Sequence, residues 1–127
     1  MNAKILIVDD NENIREFLTE FLTSKDFLVA EAKNGKEALS VLTEKKVDLV
    51  ITDIFMPEMS GIELAIKVKA KYPQLKIIGI TAGGNQISSM EALDMSAIHF
   101  EYILKKPIDC EELIDNIKYL LTSDPPQ

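Results

Sequence analysis

The chain has 127 residues, of which 46% are apolar and 28% charged, and this fits one compact domain and excludes a disordered composition. Its formal net charge of −7 at pH 7 argues against direct contacts with nucleic acid or anionic lipid, because both carry repelling negative charge. The single cysteine, Cys110, cannot form an intrachain disulfide, and no apolar run reaches the roughly 20 residues that span a bilayer. No secretion signal precedes the first strand, so we expect the protein to work in the reducing environment of the cytoplasm.

Short β-branched runs alternate with longer segments of helical spacing, which predicts a parallel sheet covered by helices. The first predicted strand is the apolar run at residues 5–8, and it ends at Asp9 and Asp10. The first predicted helix follows, because five apolar residues recur on one helical stripe: Ile14, Phe17, Leu18, Phe21 and Leu22.

Two more strands precede the middle of the chain. Residues 27–32 form the second predicted strand, and Asn34-Gly35 then opens a helix. Residues 47–51 form the third strand, which ends at Thr52-Asp53. The helix that starts at Ile62 must end near Tyr72, because the following proline disfavours helical geometry in its predecessor.

The last third of the chain continues the alternation. The fourth predicted strand spans residues 75–80 and ends at Thr81; a weaker helix around Met90 follows it. The fifth strand spans residues 102–104 and runs to Lys106-Pro107, where the proline ends strand pairing. Asp109 then begins a capping box for the last helix.

Five strands and five helices predict an α/β fold, a flavodoxin-like doubly wound (βα)5 domain with strand order 2-1-3-4-5. We assign residues 1–122 to this domain and residues 123–127 to a tail or linker stub. In such a sheet, ligands bind beyond the carboxyl ends of the strands. The predicted strand ends therefore bring together one set of polar residues: Asp9, Asp10, Asp53, Thr81 and Lys106.

Three clustered carboxylates repel one another unless a cation neutralises them. Oxygen ligands without a nearby His or Cys favour Mg²⁺, with Mn²⁺ as a substitute. A metal beside the Thr81 hydroxyl and the Lys106 ammonium would form a receptor for a phosphoryl group, with Asp53 as its acceptor.

At these residues the sequence resembles the response-regulator receiver domains of two-component signalling, and the likeness extends from Lys4 to Leu121. Four motifs carry it, in the order and spacing of the family: Ile-Val-Asp-Asp at residues 7–10, Asp-Ile-Phe-Met-Pro-Glu-Met-Ser-Gly at 53–61, Thr-Ala at 81–82 and Lys-Pro at 106–107.

The resemblance implies a role for each site residue. Asp53 would be phosphorylated, and Mg²⁺ would be held by Asp10, Asp53 and the Phe55 carbonyl, with Asp9 acting mainly through a metal-bound water. Thr81 would move toward the phosphate, Lys106 would form a salt bridge with it, and the Lys106-Pro107 peptide would be cis.

The implied function is a phospho-switch. A histidine kinase or phosphotransfer protein would donate the phosphoryl group, the domain would catalyse its own phosphorylation and dephosphorylation, and a downstream output protein or domain would respond.

Two departures from the family stand out: Ile103 occupies the position of the usual switch aromatic, with Tyr102 one residue before it, and His99-Phe100 replaces a common Gly-Ala. The stretch from Thr81 to Lys106 is also about three residues longer than usual, which we assign to the loop at residues 83–89.

Three other functions compete with the phospho-switch. A flavin-binding domain shares the topology, but Asp9, Asp10 and Glu12 would repel its phosphate. A pseudo-receiver that binds partners constitutively would not need the complete acid cluster. An aspartyl phosphatase would carry an Asp-x-Asp arrangement after its first strand, whereas here the two aspartates are adjacent.

Overall fold

A computed structural model describes residues 2–82 and 99–122 of the chain. Three predictions lie outside these residues: the weak helix around Met90, the lengthened loop at residues 83–89, and the tail at residues 123–127. Within the described residues, no helix is both long and apolar enough to cross a membrane.

Five parallel strands form one sheet in the order β2-β1-β3-β4-β5, as the sequence predicts. The strands are β1 (Lys4–Val8), β2 (Leu28–Ala32), β3 (Leu49–Asp53), β4 (Lys76–Thr81) and β5 (Tyr102–Lys105). All five residues of the central strand β3 are buried, as expected for a parallel strand covered on both faces.

Four helices lie in the described residues: α1 (Glu12–Ser24), α2 (Gly35–Glu44), α3 (Gly61–Lys71) and α4 (Cys110–Thr122). Each begins after a polar residue whose side-chain oxygen accepts hydrogen bonds from N–H groups of the first turn: Asn11, Asn34, Ser60 and Asp109. The predicted end of α3 is confirmed, since Tyr72 is its C-cap and Pro73 follows.

In the described part of the chain, the core consists of two apolar clusters, one on each face of the sheet. The cluster on the α1 and α4 side contains Leu18 and Leu22, whereas Ile14 and Phe21 are partly buried at its edge. Phe17 of the predicted stripe is 46% exposed, because it lies at the margin of the helix face that meets the sheet. The stripe is therefore narrower than its spacing indicates.

Phe100, one of the departures from the family, packs into space that a glycine leaves open on β4. A Cβ atom added at Gly79 would lie 3.0 Å from the Phe100 ring and 2.9 Å from Cδ1 of Ile54. Tyr102 packs with the α1 and α4 cluster, so it lies on the opposite face of β5 from Ile103, as the sequence predicts. No aromatic side chain of β5 therefore lies on the Gly79 face of the sheet.

Candidate functional site

The polar residues named from the sequence lie at the carboxyl ends of four strands. Asp9 directly follows β1, Asp53 is the last residue of β3, and Thr81 is the last residue of β4. Lys106 follows β5, and its backbone N–H donates to the Thr81 carbonyl over 2.7 Å. The parallel register therefore brings segments that are far apart in sequence to one edge of the sheet.

The turn after Asp53 holds its carboxylate in place. Oδ1 of Asp53 accepts the backbone N–H of Phe55 over 3.1 Å, and the Gly61 N–H donates to the Ile54 carbonyl over 2.7 Å. A Cβ atom at Gly61 would overlap the Asp53 carbonyl oxygen and would lie 2.7 Å from Cα of Ile54. Only glycine lets the start of α3 approach the end of β3 this closely.

Three carboxylates form a compact acidic cluster of Asp9, Asp10 and Asp53. One oxygen from each lies within 4.8 Å of the others, and Asp9 and Asp53 are only 1% and 7% exposed, whereas Asp10 is exposed. Oδ1 of Asp9 accepts the Asn11 N–H over 2.9 Å. Oδ2 of Asp9 is buried and has no hydrogen-bond partner among residues 2–82 and 99–122.

Lys106 supplies a positive charge to this cluster. Its Nζ lies 3.5 Å from Oδ2 of Asp53 and 3.6 Å from Oδ2 of Asp9, and its side chain is 24% exposed. The ammonium thus bridges two buried carboxylates rather than pairing with one. The Lys106-Pro107 peptide is cis, as the resemblance implies.

Burial dominates the electrostatics of the two inner acids. Burial raises the pKa of Asp9; the charges of Asp53 and Asp10 raise it further, while the Asn11 N–H and Lys106 lower it. Burial also raises the pKa of Asp53, where Lys106 is the largest opposing influence. One ammonium therefore does not fully offset the cost of holding two ionised carboxylates here.

This donor set fits a hard divalent cation. Three carboxylates offer oxygen ligands close enough to share one ion, and the buried Oδ2 of Asp9 lacks a hydrogen-bond donor within residues 2–82 and 99–122. The cluster contains no sulfur or imidazole ligand, which favours Mg²⁺ or Mn²⁺.

The remaining predicted site residues lie at the same edge. Thr81 is completely buried at the end of β4, and Phe55 lies two residues after Asp53. The ligand role of the Phe55 carbonyl and the movement of Thr81 stay predictions.

Sequence reasoning missed one residue beside the site. Nη1 of Arg15 in α1 donates to the Asp9 carbonyl over 2.7 Å, and its Nε lies 3.4 Å from Oε1 of Glu31 in β2. One signal could have drawn attention to it, since Arg15 is the only arginine among 14 basic residues.

The fold and this site define a class of protein. A family model described as "Response regulator receiver domain" matches residues 5–118. The chain is 36% identical over 122 residues to the sporulation initiation phosphotransferase F of Bacillus subtilis (strain 168), and the alignment covers 95% of both chains. The chain therefore belongs to the response regulator receiver domains of two-component systems.

Three further similar proteins differ in how much of their own length the match covers. The transcriptional regulatory protein SrrA of Staphylococcus aureus (strain NCTC 8325 / PS 47) is 36% identical over 121 residues, but the match covers only 48% of its length. Among solved structures, the response regulator TrrA of Thermotoga maritima, in complex with Mg²⁺-BeF, is 38% identical. Its TM-score is 0.82, and the match covers 94% of this chain and 99% of TrrA. The Vibrio cholerae chemotaxis protein CheY4 superposes with a TM-score of 0.83 at 28% identity, over 95% of this chain and 100% of CheY4.

Proposed function

We propose that this receiver domain accepts a phosphoryl group on Asp53 from the phosphohistidine of a histidine kinase or phosphotransfer protein. The observation that carries the proposal is the position of the Asp53 carboxylate. One of its oxygens lies within 4.8 Å of an oxygen of each of the other two carboxylates, and its Oδ2 lies 3.5 Å from Nζ of Lys106. A metal ion and an ammonium that both face the negative oxygens of one phosphoryl group are a recurrent arrangement for phosphoryl transfer.

The metal site of the proposal uses Asp9, Asp10, Asp53 and the Phe55 carbonyl, and it takes Mg²⁺ or Mn²⁺. The TrrA structure, which contains Mg²⁺ and a beryllium fluoride group, supports the choice of Mg²⁺. When bound, the metal ion supplies positive charge that stabilises the oxygens of the transferring group.

The transfer step is an in-line displacement at phosphorus. An Asp53 oxygen forms a new bond to phosphorus while the bond from phosphorus to the donor imidazole nitrogen breaks, and its electron pair leaves with that nitrogen. The product is an acyl phosphate on Asp53. The Phe55 N–H holds one carboxylate oxygen, Lys106 neutralises phosphoryl oxygens, and the Thr81 hydroxyl donates a hydrogen bond to one of them. Hydrolysis of the acyl phosphate at the same site resets the domain.

Phosphorylation then switches a surface that a partner reads. The new negative charge draws Lys106 and Thr81 toward Asp53, which favours one of two arrangements of the sheet edge. The reader is a downstream output protein, or an output domain of a longer chain as the extra length of SrrA allows. The domain works in the cytoplasm and, with a net charge of −7, does not itself bind nucleic acid.

Labelling with a small phosphodonor tests the acceptor assignment. The 127-residue chain is incubated with acetyl phosphate and Mg²⁺, and intact mass spectrometry detects the addition of one phosphoryl group. We expect labelling of the wild type and of the Asp115→Asn control, whose aspartate is exposed on α4, and none of Asp53→Asn or of samples with EDTA. Labelling of Asp53→Asn at the wild-type level, or a wild type that stays unlabelled, would reject the proposal.

A constitutive pseudo-receiver is the alternative function, and the complete acid cluster with its buried Asp53 and Lys106 argues against it. The same measurement separates the two, because a pseudo-receiver would not acquire the phosphoryl group.

A further inference from the structure

Arg15 connects three secondary-structure elements next to the acidic cluster. It lies on α1, donates to the carbonyl oxygen of Asp9 after β1, and forms an ion pair with Glu31 on β2. We propose that Arg15 is a positioning residue, which fixes the peptide between Asp9 and Asp10 and so sets the directions of both carboxylates. The proposal rests on the proposed function, because it concerns the same metal site.

The geometry of these contacts suits a guanidinium. The Nη1 to Asp9 oxygen distance is 2.7 Å, the Nε to Glu31 distance is 3.4 Å, and only 16% of the Arg15 side chain is exposed. One planar group with a fixed fork of donors makes both contacts at once, whereas a lysine ammonium has a single nitrogen. This explains why the only arginine of a lysine-rich chain stands at this position.

The peptide that Arg15 holds controls Asp10 in particular. The Asp9 carbonyl and the Asp10 N–H belong to one planar unit, so a bond to this carbonyl fixes the orientation of the whole unit. Asp9 has further support, because its N–H donates to the Ala32 carbonyl over 3.2 Å and its Oδ1 accepts from Asn11. The exposed Asp10 side chain has no hydrogen-bond or ion-pair partner in the part of the chain that the structure describes.

Charge and positioning predict opposite effects of removing Arg15. A guanidinium that acted only through its charge would repel Mg²⁺, so its removal would tighten metal binding. A guanidinium that positions the ligands strengthens metal binding, so its removal weakens it. Groups that orient metal ligands typically account for about 10-fold to 100-fold in affinity. The sign of the change therefore separates the two roles.

A Mg²⁺ titration of the full chain, followed by amide NMR signals, measures this sign. The variants are Arg15→Met, Arg15→Lys and the control Glu31→Gln, which removes the ion pair but keeps the bond to the Asp9 carbonyl. We expect the Kd for Mg²⁺ to rise about 10-fold in Arg15→Met. The rise should be intermediate in Arg15→Lys and small in Glu31→Gln. In metal-free protein, the Asp10 amide signal should shift in Arg15→Met and stay near its wild-type position in Glu31→Gln.

An unchanged or lower Kd in Arg15→Met overturns the proposal, as does a lower Tm without a change in Kd, which would show only a packing role. If Arg15→Met does not fold, Arg15→Lys decides by the same criterion. Acetyl phosphate labelling of the wild type tests the proposed function separately. A wild type that binds Mg²⁺ but is not labelled rejects phosphoryl transfer and leaves the Kd comparison decisive for Arg15, whereas a wild type that binds no Mg²⁺ overturns the role of Arg15 as well.

Discussion

Asp9→Asn removes the charge of the most buried carboxylate in the acidic cluster and keeps the shape of its side chain. Asp9 is 1% exposed, its Oδ2 has no hydrogen-bond donor among the described residues, and its pKa is raised in the folded protein. We therefore expect the variant to be more stable than the wild type when no divalent cation is present.

The magnitude follows from three opposing contributions. Repulsion between the carboxylates of Asp9 and Asp53, whose oxygens lie within 4.8 Å, amounts to about 3.5 kcal/mol at an effective dielectric constant of about 20. Attraction to Lys106 at 3.6 Å amounts to about 4.6 kcal/mol on the same basis, and the screened repulsion from Asp10 offsets part of the difference. Desolvation then decides the sign, because burying an ionised carboxylate costs on the order of several kcal/mol more than burying the neutral amide that replaces it. The expected gain in the free energy of unfolding is about 1–3 kcal/mol.

The gain should depend on pH. A pKa raised in the folded state means that the folded protein binds the proton more tightly than the unfolded chain does. Ionisation of Asp9 therefore lowers wild-type stability as the pH rises above the ordinary value of 3.8 and through the raised pKa. The difference between Asp9→Asn and the wild type should be largest at pH 7 and should shrink as the pH falls.

Urea unfolding in EDTA, followed by circular dichroism at several pH values, measures this difference. The matched control is Asp10→Asn, whose exposed carboxylate should change stability by less than about 1 kcal/mol. Mg²⁺ at a hundred times its Kd should stabilise the wild type by about 2.7 kcal/mol and the Asp9→Asn variant by less. A variant less stable than the wild type at pH 7 without metal, or a gain that does not change with pH, would refute the electrostatic reasoning.

Three further changes test other parts of the structure. Gly61→Ala should lower the free energy of unfolding in urea by about 1–3 kcal/mol, because the added methyl group overlaps the Asp53 carbonyl. Leu18→Ala should lower the free energy of unfolding by about 2–5 kcal/mol in the same assay, because Leu18 is only 1% exposed. The neighbouring Phe17→Ala should lower it by less than about 1 kcal/mol, because Phe17 is 46% exposed. Equal losses in the two variants would contradict the observed orientation of α1. Lys106→Met should lower stability at pH 7 more than at pH 4 in thermal unfolding without metal, because protonated carboxyl groups of Asp9 and Asp53 no longer need a cation. An equal loss at both pH values would contradict the role of Lys106 as the positive charge between these two carboxylates.

Much of the fold could be read from the sequence because its signals are local. The strand run at residues 5–8, Pro73 after α3 and Asp109 before α4 each act on their own neighbours, and the structure agrees with all three. The meeting of Asp9 with Asp53 was also predictable, since parallel strands end at one edge of the sheet.

Other features depend on how distant elements meet, which spacing alone does not encode. The hydrogen bond from Arg15 to the Asp9 carbonyl depends on how α1 is oriented about its own axis against the sheet, and the same orientation leaves Phe17 exposed. Phe100 occupies the space above Gly79 only because β5 lies beside β4 in this register. Local spacing does not indicate the contacts of Arg15 or Phe100, because those contacts depend on the tertiary neighbours of each residue.

The central position of β3 has a consequence for any signal that starts at Asp53. This strand is hydrogen-bonded on both sides and buried along its whole length, so it has no room to shift when a group is added to its last residue. Lys106 follows β5, a strand of four residues that lies at the edge of the sheet and, among the residues that the structure describes, pairs with β4 alone. We therefore expect the rigid middle of the domain to act as a fixed reference, with the deformation concentrated at the β5 margin.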